Sequence, residues 1–534
     1  MLGILLTYAS PLLRYDIVVR TLLHVLRWVY WPFDDLLKRV ENSPGLPVPD
    51  PTSPYWTQPP SPIAQRNSSS EGKRLPEDAD IVIIGSGITG TSFARTILDH
   101  GNGNDVHGKP LRIVMLEARD ACSGATGRNG GHITPVLYQD YAMAQKIIRF
   151  RLSHLEQLLQ VAEEEGLSSD SQCRRVEAFD VFHDKNLFRQ AKSWLEEYQE
   201  DLPEESRNYR IYETAEELEP LQLSKSTVGC LSTTAGSVHP YRLVTGILGR
   251  LLNSYQANFD LFTHTPCTDV KTSDEDDLDQ YIVETPRGAI RARHIVHATN
   301  GWVSHLLPGM RGKVFPARGV MTAQIPREEK SSEEPKEAMS TTNRASWTGT
   351  RSFVFYPSTS VGVYDYLTQQ LPSGGSSRSS YPSPNGELML GGGFAHGAVA
   401  DIGNADDSEW SPAVGEYVRQ ALGSYFSVKR NGEKEGKDEV KATWSGILGI
   451  SADERPWVGR IPVSITARGR QTASGEWIAA GYTGEGMVQA WMSGKALGHM
   501  VLGVELDSWL PEVFMVTEER WRSAGFESFV CRIR

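Results

Sequence analysis

Residues 80–98 read DIVIIGSGITGTSFARTIL, and this stretch restricts the possible folds more than any other. Ile81 to Ile84 is an unbroken apolar run, which predicts a parallel strand buried on both faces. Gly85, Gly87 and Gly90 follow in the spacing GxGxxG, and Phe93, Ala94, Ile97 and Leu98 then trace an amphipathic helix. In such a strand–turn–helix the first glycine permits the tight turn and the second lets the backbone approach a pyrophosphate. The third lets the helix pack closely on the strand. The phosphates meet the helix N-terminus, where free N–H groups and the dipole favour anions. A second strand, Leu111 to Leu116, ends in Glu117, whose carboxylate suits ribose hydroxyls. The polar stretch from Asp99 to Pro110 makes this connection longer than the usual ~20 residues. A glycine turn without a ligand would explain GxGxxG alone. The order strand, glycines, helix, strand, acid predicts a dinucleotide site.

Up to Glu117 the dinucleotide is either NAD or FAD. Residues 119–135, RDACSGATGRNGGHITP, favour FAD. An NAD unit would continue into a second helix and a third strand. Here a glycine-rich loop follows the acid at once and reaches back over the cofactor, its backbone N–H groups and Arg128 meeting phosphate or the flavin ring.

The chain has 534 residues, enough for about three domains. Its 54 basic and 66 acidic residues leave a net charge of -12, which argues against a nucleic-acid binder. The five cysteines, Cys122, Cys173, Cys230, Cys267 and Cys531, are scattered and never spaced CxxC. They predict neither a disulfide framework nor a metal site, and fit a reducing intracellular compartment.

Residues 1–40 read as a hydrophobic extension. Within it 17–33, IVVRTLLHVLRWVYWPF, predicts a helix carrying Arg20, His24 and Arg27 on one face. Its charges break any run of ~18 apolar residues, so it either lies in a membrane interface or packs on the body. The chain is accordingly expected to be cytoplasmic or peripherally membrane-associated. Residues 41–74 are rich in Pro and Ser and read as a linker, with the folded body starting near Leu75. On that reading, deleting residues 1–70 spares the body. The segments 326–346 and 372–386 are polar and read as loops.

Seven segments, spread over roughly residues 78–503, resemble the D-amino-acid-oxidase-like superfamily of flavoproteins. They are DIVIIGSGITG, LEARDACSGATGRNGGH, GSVHPYRLV (236–244), HIVHATNGW (294–302), LMLGGG (388–393), WSGILGISADERPWVGR (444–460) and AAGYTGEGMVQAWMSGKALG (479–498). The branch of gamma-glutamylputrescine oxidoreductase and glycine oxidase is the most similar. The resemblance implies a discontinuous α/β FAD-binding domain of Rossmann-like, GR2 type over 75–139, 226–310 and 441–505. An α+β substrate domain with a mostly antiparallel sheet would cover 140–225 and 311–440, leaving 506–534 as a tail.

It also implies the cofactor contacts. Gly85, Ser86, Gly87, Ile88, Thr89 and Gly90 would surround the pyrophosphate, and Glu117, Ala118 and Arg119 the adenosine. Thr126, Arg128, Asn129, Gly130, Gly131 and His132 would follow the flavin, although His132 also reads as a structural histidine. Val270 would sit beside the adenine, or serve only as a core strand residue. Ala298, Thr299 and Gly301 would run past the flavin, and Gly481, Thr483, Gly484, Gly486 and Met487 would aim a helix at its pyrimidine side. From the residues themselves, His239-Pro240 predicts a helix start, with Pro240 at the tolerated first position.

The implied reaction is oxidation of a C–N bond in an amine or amino acid. Hydride passes to flavin, and water hydrolyses the imine. Tyr356, Tyr364 and Tyr366 line the substrate cavity or are ordinary strand aromatics. Arg455 either holds a substrate carboxylate or makes a structural salt bridge. Some relatives attach their flavin through a cysteine in the 444–460 region; none stands there, so FAD is expected to bind noncovalently. Two alternatives are a flavoprotein acting on a C–H or C–O bond in a specialised biosynthetic pathway, and a non-catalytic flavoprotein targeted by its N-terminal helix.

Overall fold

A computed structural model describes residues 35–68, 72–105, 107–135, 145–272, 280–325, 348–371, 386–397, 401–427, 439–468, 474–506 and 509–526. The expected helix at 17–33 lies outside these residues, as do the polar insertion at 326–346 and nearly all of that at 372–386. Among the described residues, no helix is long and apolar enough to cross a membrane.

Among the described residues seventeen strands, numbered along the chain, form two sheets. The first is built on a parallel core: β17 (Gly475–Ala480), β10 (Gly288–His297), β1 (Asp78–Ile84), β2 (Ile113–Leu116) and β7 (Phe259–Phe262). β16 (Trp457–Arg460) closes one edge antiparallel, and β8 (Asp269–Thr272) with β9 (Tyr281–Thr285) hangs from the first half of β10. Ile81, Val82, Ile83 and Ile84 are all buried, as an apolar run in a central parallel strand requires. The second sheet has nine strands. They are β3 (His132–Ile133), β4 (Arg174–Phe182), β5 (Arg210–Tyr212), β6 (Gly229–Ser237), β11 (Val314–Ile325), β12 (Arg351–Tyr356), β13 (Asp365–Gln369), β14 (Leu388–Gly392) and β15 (Glu439–Ser451). Every pairing in it is antiparallel except β12 with β4, so the expected α/β plus α+β architecture holds.

Two long helices position the site. α1 (Ile88–His100) follows the glycine turn, and α2 (Ala490–Val501) follows the second glycine-rich segment. They touch through small residues: a Cβ on Gly494 would collide with the Thr89 carbonyl, and Ser92 Oγ donates to Trp491 O at 2.6 Å. The expected helix start at Pro240 is also present, with His239 as N-cap.

The expected domain limits shift. β3, β6 and β15 belong to the second sheet, whereas the expected limits place 132–133, 229–237 and 441–451 in the cofactor domain. Motif loops sit where the chain crosses between sheets, so strands flanking a motif go either way. The expected linker is not a spacer. Within it Trp56 and Ala64 are buried, and just before it residues 35–41, at the end of the expected extension, form a helix that buries Leu36 and Val40 against Phe315 and Phe526. Pro and Ser content marks a chain without regular structure; it does not mark one without contacts. The tail also packs: Phe514, Val516 and Ala524 are buried, and Arg520 stacks on Trp457 3.8 Å from the ring centroid.

Candidate active site

At the C-terminal end of β1 the chain turns at Gly85, whose φ of +108° is open to glycine and costly for other residues. A Cβ there would stand 2.7 Å from the Ala298 carbonyl oxygen, where β10 ends beside it. A Cβ on Gly90 would collide with the Gly85 carbonyl. These two contacts let α1 start directly above the sheet. Thr126 Oγ1 accepts the Ile88 N–H at 3.0 Å, so the loop after β2 closes onto the helix N-terminus.

Glu117, at the end of β2, accepts from Ser86 N–H at 3.1 Å and Ser86 Oγ at 2.7 Å on one oxygen, and from Arg119 N–H at 3.1 Å on the other. A carboxylate has about four acceptor positions, so one remains for a ribose hydroxyl. The Thr299 hydroxyl, on the same wall, has no protein partner among the described residues.

From this turn a cavity enclosing about 1560 Å³, open mouth included, runs between the two sheets. Gly85, Ser86, Gly87, Ile88, Thr89, Glu117, Ala118 and Arg119 line one end. Thr126, Arg128, Asn129, Ala298, Thr299, Gly484, Gly486 and Met487 continue the wall. The roof comes from the second sheet: Gly319, Val320, Met321, Tyr366, Gly392, Phe394, Ile447 and Leu448.

Several expected contacts lie behind the wall. Gly481 N–H donates to Asn300 Oδ1 at 3.0 Å, and Thr483 N–H to Gly449 O at 2.8 Å; these residues clamp loops together. Gly301 backs onto the Leu448 carbonyl, Gly130 onto the Tyr366 ring, and Gly131 onto the Val238 carbonyl. Val270 is a buried core residue of β8; Pro266 and Cys267 reach the cavity in its place. His132 faces Ser352 Oγ at 2.9 Å in the second sheet, and burial pushes its imidazole down to about 3. It is the structural histidine.

Arg128 lines the wall, but its guanidinium is engaged by the protein. Its Nε donates to Ser123 O at 2.8 Å and its Nη1 to Ser445 O at 2.7 Å, with Asp407 3.4 Å away. Burial pushes this guanidinium down to about 10 despite the carboxylate. Arg119 also turns inward, giving both terminal nitrogens to Asp407. Nothing in the sequence marks Asp407 among 66 acidic residues, because its partners lie some 280 to 290 positions away. Arg455 is exposed, outside the cavity, and bonded through its backbone to Asp453 and Arg520. The position expected to hold a carboxylate is thus a surface turn. Of the three tyrosines, Tyr366 lines the roof, its hydroxyl 3.0 Å from Met321 Sδ. Tyr356 stacks on Phe182 in the core. Tyr364 lies beside Phe394, and burial pushes its phenol up to about 12.

A family model described as FAD dependent oxidoreductase matches residues 80–500. The chain is 22% identical over 449 residues to a probable oxidoreductase, OrdL, of Rhizobium meliloti (strain 1021), covering 80% of this chain and 85% of that protein. Glycine oxidase from Geobacillus kaustophilus superposes with a TM-score of 0.60 at 15% identity, over 83% of this chain and 99% of that one. L-amino acid deaminase from Proteus vulgaris gives 0.57 at 16%, over 86% and 98%. At these identities the solved structures establish the shared fold.

Proposed function

Since this chain belongs to the family of FAD dependent oxidoreductases, we propose that it oxidises a C–N bond of an amine or amino acid, with FAD held noncovalently. The carrying observation is the roof of the cavity. Its side chains are Val320, Met321, Tyr366, Phe394, Ile447 and Leu448, with no carboxylate, imidazole or cation among the described residues. An alcohol losing hydride must also lose its O–H proton, which calls for a base at hydrogen-bond distance. A neutral amine uses its own nitrogen lone pair to form the C=N bond as the α-hydride leaves, so an apolar roof suffices.

Bound FAD supplies the hydride acceptor. The chain's residues do the rest: the roof excludes water and orients the α-carbon, and the imine released takes up water to give a carbonyl compound and an amine or ammonia. Glycine oxidase and L-amino acid deaminase, similar in fold, are named for nitrogen-bearing substrates, which supports the reading. Noncovalent attachment is supported by Cys267, the cavity-lining cysteine. It stands by Pro266 at the adenosine end, and burial pushes its thiol up to about 12, far from a reactive thiolate. The lining cations Arg119 and Arg128 are both joined to Asp407, so the amine is favoured over the amino acid within this class.

Anaerobic bleaching of the flavin absorbance tests the reading with matched amines, amino acids and alcohols. Bleaching by amines is expected. Bleaching by alcohols alone would replace the C–N reading with a C–O one, and no bleaching by any of them would favour a non-catalytic flavoprotein.

A further inference from the structure

The adenosine end of the cavity is fixed by Glu117, because the acid ending the second strand takes the ribose and the adenine lies beyond it. Beyond Glu117 the walls are Ala118 and Arg119, then Pro266 and Cys267, then Trp302, His305 and Leu306. Gly45, Leu46 and Pro47, from the segment preceding the first strand, also line the cavity.

That segment is fastened at both ends. Ser43 Oγ lies 2.9 Å from His305 Nδ1. Thr52 N–H and Thr52 Oγ1 both donate to the Asp407 carbonyl, at 2.8 and 2.9 Å, and Thr52 Oγ1 accepts the Ser445 N–H at 3.0 Å. Between these fastenings Leu46 faces the cavity with 40% of its surface exposed, one of few large apolar side chains so placed among the described residues. A purine ring laid against this leucine would take apolar surface of both out of water, a favourable contact at a wall held in place on both sides.

We propose that residues 45–47 are the outer wall of the adenine pocket, that the dinucleotide covers Leu46 when bound, and that the Thr52 latch keeps this wall in place. The inference rests on the flavin reading and adds to it a cofactor-binding element outside the glycine motifs. On this reading Leu46 acts on cofactor retention and not on the substrate.

The test uses full-length apoprotein titrated with FAD by flavin fluorescence, with ADP as competitor, since ADP carries the adenosine end alone. Leu46→Ser is expected to weaken FAD and ADP alike, by about tenfold, the loss expected when the contact of one leucine face is removed. Thr52→Val, which keeps the side-chain shape and removes the hydroxyl, is expected to speed FAD release. Thermal unfolding of the apo forms confirms that the variants are folded. Unchanged FAD affinity in Leu46→Ser, or weakened FAD with unchanged ADP, overturns the wall. A wild-type protein that binds neither FAD nor ADP overturns the flavin reading itself.

Discussion

Asp407 receives both terminal nitrogens of Arg119, at 2.8 and 3.1 Å, and both side chains are buried. Arg128 approaches the same carboxylate to 3.4 Å. One acid from the second sheet's side thereby ties down both ends of the loop that follows Glu117, while its carbonyl holds Thr52. Removing one member of a buried ion pair leaves the other charge unpaired, at a cost of about 3–5 kcal/mol. Asp407→Asn should lower unfolding free energy by that order and release flavin more readily. Denaturant titration reads the first effect and ultrafiltration the second; a wild-type midpoint would mean that the two guanidinium groups find other acceptors.

Gly87→Val should lose the flavin. A Cβ at Gly87 already stands 3.1 Å from Thr126 Oγ1, and two further methyl groups would fill the space a pyrophosphate needs. The variant should purify folded and colourless. A folded yellow variant would mean that the phosphates do not pass Gly87.

Acid should weaken the fold through His154. Its Nδ1 lies 2.8 Å from the Phe150 carbonyl, and its Nε2 accepts the Met492 N–H at 3.3 Å, at the start of α2. The bond accepted from Met492 requires the neutral ring, since a second N–H would face that donor, while the Nδ1–H bond to Phe150 is kept in either state. Burial pushes this imidazole down to about 4. The unfolded chain therefore takes up the proton first, and the stability, complete above about pH 6.5, is lost as pH falls towards 4, by on the order of 3 kcal/mol. His132, near 3, and His294, near 4, act in the same direction. His154→Gln keeps one donor and one acceptor without titrating, so its melting temperature should fall less over this range. Parallel profiles for the two proteins would remove His154 from the effect.

Trp56→Ala should destabilise the protein by about 3–5 kcal/mol, the usual cost of emptying a buried aromatic site. Trp56 is buried, packs edge-on against His239 with centroids 4.5 Å apart, and donates its indole N–H to the Asn129 carbonyl in the cofactor loop. Deletion of residues 1–70 should be worse still. A truncated protein with wild-type melting temperature would restore the linker reading.

Arg455→Ala should change little. An exposed side chain on a surface turn is worth within about ±0.5 kcal/mol, and flavin reduction by any substrate should be unaffected. A selective loss with carboxylate substrates would show that Arg455 reaches the cavity after all.

The order of apolar run, glycines, helix and acid was enough, by itself, to determine the strand–glycine turn–helix and the acid beside it. Its requirements are local: Gly85 needs a positive φ and Gly90 a missing Cβ, and both are written in the residue types. The repeated glycine-rich segments likewise pointed to the loops that meet at this turn. The tertiary structure decided which of those residues face the ligand. Gly481 and Thr483 bond to Asn300 and Gly449, His132 turns to Ser352, and Arg128 is spent on Ser123, Ser445 and Asp407. It also brought in residues that carry no local signature, among them Asp407, Leu46 and the roof of β11 and β15. A motif fixes backbone shape over a few residues, through φ and sterics. The direction of a buried charge is fixed by whichever partners the rest of the chain places within reach, and a partner such as Asp407 lies hundreds of residues from Arg119 and Arg128.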